Sequence, residues 1–394
     1  MSSESHANRH ERLMAEAIAE AKKAEGRTRP NPLVGCVIVR DGEVVARGYH
    51  ARAGEAHGEV AALRALDGSA EGCEAYVNLE PCCHHGRTPP CTEALINAGI
   101  RRVYVGTLDP FPEVSGKGIE ALRRAGVEVV SGVLEDESRR LNQPYFKRIT
   151  TGLPWVAVKY AMTLDGKIAS STGDSAWISS EASRRRVHEL RNVHDAIMVG
   201  TGTLLHDNPR LTCRIDGGRD PVRVVLDATL SAPLDANVFD PALSDARTIA
   251  VVGPHAPDER RRALAERGVT FLEVAVDAAG KLDLRQVLRG LADRELPSVF
   301  VEGGSQLLGS LFDQKLVDRV YAFVSPKVVG GQNAPSAVAG EGVEAMKDAL
   351  ELERLSIEVV DGRDVFITGD VPASFRADIE TTPAASRPVT AEEA

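Results

Sequence analysis

The sequence predicts two consecutive α/β domains, each a largely parallel sheet layered with helices. Three observations predict it. Runs of β-branched apolar residues alternate with amphipathic helical stretches along most of the chain. The 394 residues give room for two or three domains at about 100–200 residues each. The alternation breaks near residues 146–154, at a stretch that reads as a linker.

In the first half, ERLMAEAIAEAKKA, from Glu11, has the apolar spacing of an amphipathic helix. GCVIVRDGEVVARGYH reads as a hairpin, because Asp41-Gly42 suits the positive φ of a two-residue turn. HGEVAALRAL follows as a helix, EAYVNLEP as a strand and TEALINAGI as a helix ending near Gly99. RRVYVGTLD is a strand, GKGIEALRRAG a helix closed by Gly126, and VEVVSGV a strand. The join runs from Gln143 to Pro154, with proline near each end. The first domain is therefore expected over 8–145 and the linker over 146–154. Beyond it PWVAVKYAMT is a strand and ASRRRVHELRNVH a helix. DAIMVGTGT, PVRVVLDAT, RTIAVVG, VTFLEVA and PSVFVEGG are strands, SQLLGSLFDQ is a helix, and DRVYAFVSPKVVG a last strand. This second domain is expected over 155–370. Residues 371–394, rich in Ala, Thr, Pro and Glu, are expected to form a disordered tail.

Composition narrows the function. The net charge of −10 argues against a general polyanion binder, so no nucleic-acid partner is expected. No apolar run approaches the ~18 residues of a membrane span, and the N-terminus lacks an apolar signal core, so a cytoplasmic location with no membrane partner is expected. Six cysteines are too few for a disulfide scaffold in a chain of this length, and three cluster at Cys82, Cys83 and Cys91. That clustering reads as metal chemistry in a reducing compartment.

The strongest local signal is His57-Gly58-Glu59 followed by Pro81-Cys82-Cys83-His84-His85-Gly86-Arg87-Thr88-Pro89-Pro90-Cys91. A hydrolytic zinc site needs three protein ligands and one open position, and His57, Cys82 and Cys91 supply that set. Zn2+ lowers the pKa of its water towards ~7. Glu59, two positions from His57, can take the water proton and deliver it to a leaving amine. Zinc deaminases use this H-x-E and P-C arrangement. Cys91 opens a helix, whose dipole favours a thiolate. A structural zinc site stays open as an alternative, closed by His84, His85 or Cys83.

The whole string resembles the P-C-x-H-x-G-R-T-P-P-C signature of the bacterial riboflavin-pathway deaminase. Arg29-Pro30-Asn31-Pro32-Leu33-Val34-Gly35, Gly48-Tyr49-His50, Asp109-Pro110 and Gly116-Lys117-Gly118 are similar to that family too. Gly58 replaces the commoner alanine of H-A-E, and Cys83 stands where serine is more usual. The resemblance implies a cytidine-deaminase-like three-layer domain. It also implies deamination at C2 of 2,5-diamino-6-(5-phosphoribosylamino)pyrimidin-4(3H)-one. Asn31 and His50 match positions that line the base pocket. His84 and Arg87, on the loop between the thiolates, are candidates for the ribose phosphate.

In the second half, the segments Lys159-Tyr160-Ala161-Met162-Thr163-Leu164-Asp165-Gly166-Lys167 and Val299-Phe300-Val301-Glu302-Gly303-Gly304-Ser305 carry the argument. Glycines between a strand and a helix let backbone N–H groups approach a phosphate, although the spacing is not G-x-G-x-x-G. With Gly200-Thr201-Gly202-Thr203 and Asp207-Asn208-Pro209-Arg210-Leu211-Thr212, they resemble the reductase half of the same bifunctional family. Its fold is dihydrofolate-reductase-like and its cofactor NADPH. The resemblance implies cofactor contacts at Ala161, Trp177, Thr203, Asp207, Gly304, Ser305, Gln306, Leu307, Leu308, Gly309 and Ser310. It implies substrate contacts at Ser175, Arg191, Leu211, Arg214 and Glu302. Reducing a ribosylamine to a ribityl chain needs a proton donor or cation stabiliser near C1′, for which Lys159 and Glu302 are the candidates. Arg191 and Arg214 suit a phosphate ester.

The expected enzyme is thus a zinc deaminase fused to an NADPH reductase. Its partners are small phosphoribosylaminopyrimidine substrates, and the family suggests a homo-oligomer built through the reductase domain. Two rivals stay open: a nucleic-acid deaminase with an unrelated second domain, and a structural zinc module beside a nucleotide sensor.

Overall fold

The computed structural model describes residues 3–85 and 89–376, with side chains from residue 8. The chain divides into two units, with the boundary between Gly152 and Leu153.

The first unit is built on a five-stranded sheet. Its strands are β1 (Gly35–Arg40), β2 (Glu43–Tyr49), β3 (Glu74–Leu79), β4 (Arg102–Thr107) and β5 (Glu128–Ser131), in the order β2-β1-β3-β4-β5. Its helices are α1 (Ser3–Lys22), α2 (Gly58–Ala65), α3 (Cys91–Asn97), α4 (Lys117–Arg124), α5 (Glu135–Leu141) and α6 (Gln143–Thr151). The sheet is mixed rather than largely parallel: β1 runs antiparallel to both β2 and β3, and only β3, β4 and β5 are mutually parallel. Asp41 (φ 49°) and Gly42 (φ 91°) make the hairpin turn in the conformation their sequence demands. Alternation along β1 separates two cores: Val37 and Val39 pack with Leu13, Met14 and Ala17 of α1, while Cys36 and Ile38 face Ala62 and Leu95 of α2 and α3. The result is three layers.

The expected linker is a correction. Gln143–Thr151 is helix α6, and Phe146 is buried in the same core as Leu95. Proline near its start is compatible with a helix, since the first-turn N–H groups have no intrahelical acceptor. Gly152 ends it in the left-handed conformation (φ 69°).

The second unit carries β6 (Trp155–Thr163), β7 (Ala196–Gly200), β8 (Val222–Leu226), β9 (Thr248–Val252), β10 (Val269–Glu273), β11 (Ser298–Val301), β12 (Arg319–Ser325), β13 (Glu353–Val360) and β14 (Asp364–Asp370). They form one nine-stranded sheet, in the order β10-β9-β8-β7-β11-β6-β12-β14-β13. It is parallel from β10 to β12, with an antiparallel β13–β14 hairpin at one edge. The helices are α7 (Glu181–Val193), α8 (Thr201–Asp207), α9 (Asp258–Ala265), α10 (Leu284–Ala292) and α11 (Ser305–Asp313). Val156, Met198, Val224 and Val299 pack on α10 and α11 on one face, and Ile197, Val225, Phe300 and Phe323 on Val187 of α7 on the other. The expected tail begins too early. Val371 is fully buried, its N–H donates to the Asp318 carbonyl at 2.8 Å, and Phe375 packs on the core. Residues 377–394 lie outside the described residues. Among the described residues no helix is long and apolar enough to cross a membrane.

Candidate active sites

His57 precedes the first residue of α2, and Cys91 opens α3. Cys82 lies beyond the end of β3. Three helix and strand ends thus bring one imidazole and two sulfurs together. His57 Nδ1 is 3.5 Å from Cys82 Sγ and 3.3 Å from Cys91 Sγ, and the three donor atoms lie within 4.8 Å of one another. A tetrahedral zinc at its usual bond lengths to sulfur and nitrogen separates such donors by about 3.5 Å, so the set fits the ion. The Cys91 N–H donates to Cys82 Sγ at 3.4 Å. A hydrogen bond from Cys91 pulls the Cys82 pKa down to about 4, against burial, while Cys91 itself is pushed up.

Glu59 is 2% exposed, and its Oε2 has no hydrogen-bond partner. Burial lifts its carboxyl to about 7, partly offset by His57. Glu59 is thus a buried carboxyl with a spare oxygen, two positions from His57. Gly58 is required by packing, since a Cβ there would lie 2.7 Å from the Val34 carbonyl oxygen.

Cys83, His84 and His85 do not join the cluster. Cys83 Sγ faces the Glu113 carbonyl at 3.7 Å, and His85 lies 3.9 Å from Glu93. His84 Nδ1 is buried and unpartnered. Arg87 is outside the described residues. Asn31 and His50 are adjacent, with Asn31 Nδ2 3.1 Å from His50 Nε2. The other ring nitrogen of His50 is 3.1 Å from the Ala56 carbonyl, so that nitrogen carries the proton and Nε2 accepts from Asn31. Both His50 nitrogens are therefore satisfied within the chain. Sequence reasoning missed Asn142. Its Oδ1 accepts from the Leu33 N–H at 2.8 Å and its Nδ2 donates to the Leu33 carbonyl at 2.9 Å. It clamps the loop that carries Asn31 from 109 residues away, a pairing with no local signal.

In the second unit a cleft of 1140 Å³ opens at the carboxyl ends of the parallel strands, where open α/β sheets bind ligands. Thr203, Asp207, Gly304, Ser305, Gln306, Leu307, Ser310 and Ser175 line it. Other expected contacts fall elsewhere. Leu308 is core, and Gly309 packs so closely that a Cβ would sit 2.2 Å from the Ala339 carbonyl oxygen. A helix turns only part of its surface to the cleft, which breaks the expected continuous run. Ala161 packs against the core. Trp177 is 68% exposed, with the Arg184 guanidinium stacked 4.5 Å over its ring. Leu211 is buried.

Arg191 and Glu302 form a two-point ion pair, Nε to Oε1 at 2.5 Å and Nη2 to Oε2 at 2.8 Å, and Arg191 Nη1 donates to the Thr212 carbonyl at 2.8 Å. Burial opposes ionisation of Glu302, yet the Arg191 charge and hydrogen bonds hold its carboxyl below its usual range. Arg191 is thus spent on Glu302 rather than offered to a phosphate. Lys159, half-buried on β6, has its pKa lowered by burial, with Glu302 pulling the other way. Arg214 is exposed, donates to Thr212 Oγ1 at 3.1 Å, and has Arg191 and Arg210 as like-charged neighbours. Arg210 is a cation that sequence reasoning overlooked.

A three-layer unit with a His-Cys-Cys cluster, joined to a parallel-sheet unit with a cleft at its strand ends, defines a two-site enzyme: a zinc-type deaminase and a reductase. Comparison with known proteins agrees with this division. Residues 7–107 match the cytidine and deoxycytidylate deaminase zinc-binding region, and residues 154–366 match the RibD C-terminal domain. The chain is 44% identical to riboflavin biosynthesis protein RibD of Actinobacillus pleuropneumoniae, over 90% of this chain and 93% of that one. It is 39% identical to its Escherichia coli counterpart, over 90% and 97%. A crystal structure from Thermotoga maritima, titled a diaminohydroxyphosphoribosylaminopyrimidine deaminase/5-amino-6-(5-phosphoribosylamino)uracil reductase, superposes with a TM-score of 0.82. That structure has 36% identity and covers 93% of this chain and 100% of its own. The chain belongs to the RibD family of riboflavin biosynthesis proteins, and is a bifunctional enzyme with a zinc deaminase domain and an NADPH-dependent reductase domain.

Proposed function

We propose that the two sites act in succession on one phosphoribosylaminopyrimidine. The first replaces the C2 amine of 2,5-diamino-6-(5-phosphoribosylamino)pyrimidin-4(3H)-one with oxygen. The second reduces the ribosyl group of 5-amino-6-(5-phosphoribosylamino)uracil to ribityl. The observation that carries the reading is the unpartnered Glu59 oxygen beside the His57–Cys82–Cys91 set.

His57, Cys82 and Cys91 would hold the zinc, which would supply the Lewis acidity that makes water a nucleophile near neutral pH. Glu59 accepts a proton from that water and returns it to the departing amine. Asn31, fixed by His50, offers its carbonyl oxygen to a donor edge of the heterocycle. In the second site NADPH supplies the hydride when bound. Glu302, held ionised by Arg191, stabilises the positive charge of the ring-opened imine, and Lys159 is the proton donor to the ribose oxygen. Arg214, with Arg210 close by, meets the phosphate.

None of the six cysteines is in a disulfide, which supports a cytoplasmic location. Leu355, Ile357 and Val359 stand exposed on the edge strand β13, which supports a homo-oligomer built through the second unit. The test is incubation with the diaminopyrimidine ribotide, with and without NADPH, following products by mass. Without NADPH the deaminated ribotide accumulates; with it the ribityl product forms. Failure to consume the ribotide overturns the reading.

A further inference from the structure

The cleft of the second unit runs across the carboxyl ends of β6, β11, β7 and β8 and reaches the turn bracketed by the Val276–Leu282 bridge. Neighbouring strands lie about 4.8 Å apart, so these four span roughly 14 Å. Lys159 lies on β6 and Glu302 directly follows β11, and the reductase reading puts hydride transfer beside them. A dinucleotide that delivers hydride there carries its other nucleoside towards β8 and the turn. Leu226, Ala228, Leu282 and Leu284 give that end apolar walls for a flat base.

The charges at this end are unequal in availability. Asp277 lines the cleft, but its Oδ1 accepts from the N–H groups of Ala279 and Lys281, each at 2.9 Å. Asp313 is likewise engaged, by the N–H groups of Glu341 at 2.9 Å and Gly342 at 3.2 Å. A carboxylate with oxygens to spare is what reads a free ribose 2′-hydroxyl; both Asp313 oxygens accept from backbone, and Asp277 keeps only its Oδ2. Lys281 lines the same end, is exposed, and has no ion-pair partner among the described residues. Its backbone is pinned: Asp277 N–H donates to the Lys281 carbonyl at 2.8 Å and Gly280 N–H to the Asp277 carbonyl at 2.9 Å. The side chain thus leaves from a rigid turn into the cleft.

We propose that Lys281 reads the 2′-phosphate of the cofactor, making the Asp277–Lys281 turn the determinant of NADPH over NADH. This rests on the reductase reading above and adds the residue that selects between the two nucleotides. Glu341, which also lines the cleft, and the remaining Oδ2 of Asp277 are the rival readers and would favour the free hydroxyl.

Calorimetric titration with adenosine 2′,5′-bisphosphate and with 5′-AMP tests it, because the two differ only in the 2′-phosphate. Wild type binds the bisphosphate about tenfold or more tighter, as expected of a charged hydrogen bond. Lys281→Gln abolishes that gap and leaves 5′-AMP binding unchanged; Lys281→Arg restores most of it. Dissociation constants for NADPH and NADH, read by fluorescence, follow the same order. Unchanged 5′-AMP binding and an unchanged thermal unfolding of the second unit in each variant report an intact fold. The proposal is overturned if Lys281→Gln keeps the preference, or if it weakens both nucleotides equally. Wild-type protein that binds neither NADPH nor NADH overturns the reductase reading itself, and this proposal with it.

Discussion

Arg191 on α7 and Glu302 at the end of β11 are locked together through two hydrogen bonds, at 2.5 and 2.8 Å, with both side chains about nine-tenths buried. Removing one partner strands the other charge in a poorly solvated place. Glu302→Gln is expected to destabilise the second unit by about 3 kcal/mol and to abolish most reduction while sparing deamination. Thermal unfolding and separate assays of the two reactions check this. Loss of both activities in a folded variant would argue against independent sites.

The same pair sets an acid limit. The folded pKa of Glu302 lies below its ordinary value of about 4.3. Its stabilising contribution is therefore complete above that value, and disappears as pH falls through the lower folded pKa. Wild type is expected to lose stability below about pH 4 more steeply than Glu302→Gln, as denaturant midpoints across pH 3–6 would show.

Glu59→Gln keeps shape and burial but cannot carry a proton. We expect a folded protein with one zinc per chain, full reduction, and deamination reduced at least about a hundredfold. Elemental analysis and product assays decide it. Deamination at wild-type rate would refute the role given to this carboxylate.

Cys82→Ser and Cys91→Ser should each lose zinc and deamination, whereas Cys83→Ser should retain both, because its sulfur faces the Glu113 carbonyl instead of the cluster. Chelation of the wild type should likewise silence deamination and leave reduction intact. A zinc-free Cys83→Ser protein would reassign the ligand set.

Asn142→Ala removes two of the hydrogen bonds that hold Leu33, its N–H losing Asn142 Oδ1 while its carbonyl keeps the bond from Asn78 Nδ2 at 2.9 Å. The expected cost is about 1–3 kcal/mol, with the deamination KM rising more than kcat falls. Asn142→Asp, which keeps one acceptor, should fall between. An unchanged KM would show that the clamp does not position Asn31.

The zinc cluster was legible because ligand chemistry restricts it to few residue types at fixed places near helix and strand ends. Asp41-Gly42 and the β-branched strands were legible for a similar reason: local backbone preference and burial agree there. What escaped depended on distant partners. Helix α6 was obscured by Pro144 and Gly152, which suggest a break, while the burial of Phe146 that stabilises it is a tertiary fact. Strand β13 was not read from the sequence although Leu355, Ile357 and Val359 alternate with polar residues, and in the fold that apolar row is exposed instead of packed on a core. Arg191 was read as a phosphate ligand because its type suits one. Only the fold shows that Glu302 occupies it.

Helix α6 bears on how the gene can be divided. A fragment cut after residue 145, where the amino-acid pattern suggests a joint, discards Phe146 and leaves a hole in the core that also contains Leu95, Val103 and Leu122. A cut after Gly152 leaves that hydrophobic centre whole. Surgeons of this polypeptide who seek an autonomous front half should place the scissors seven residues later than its prolines advise.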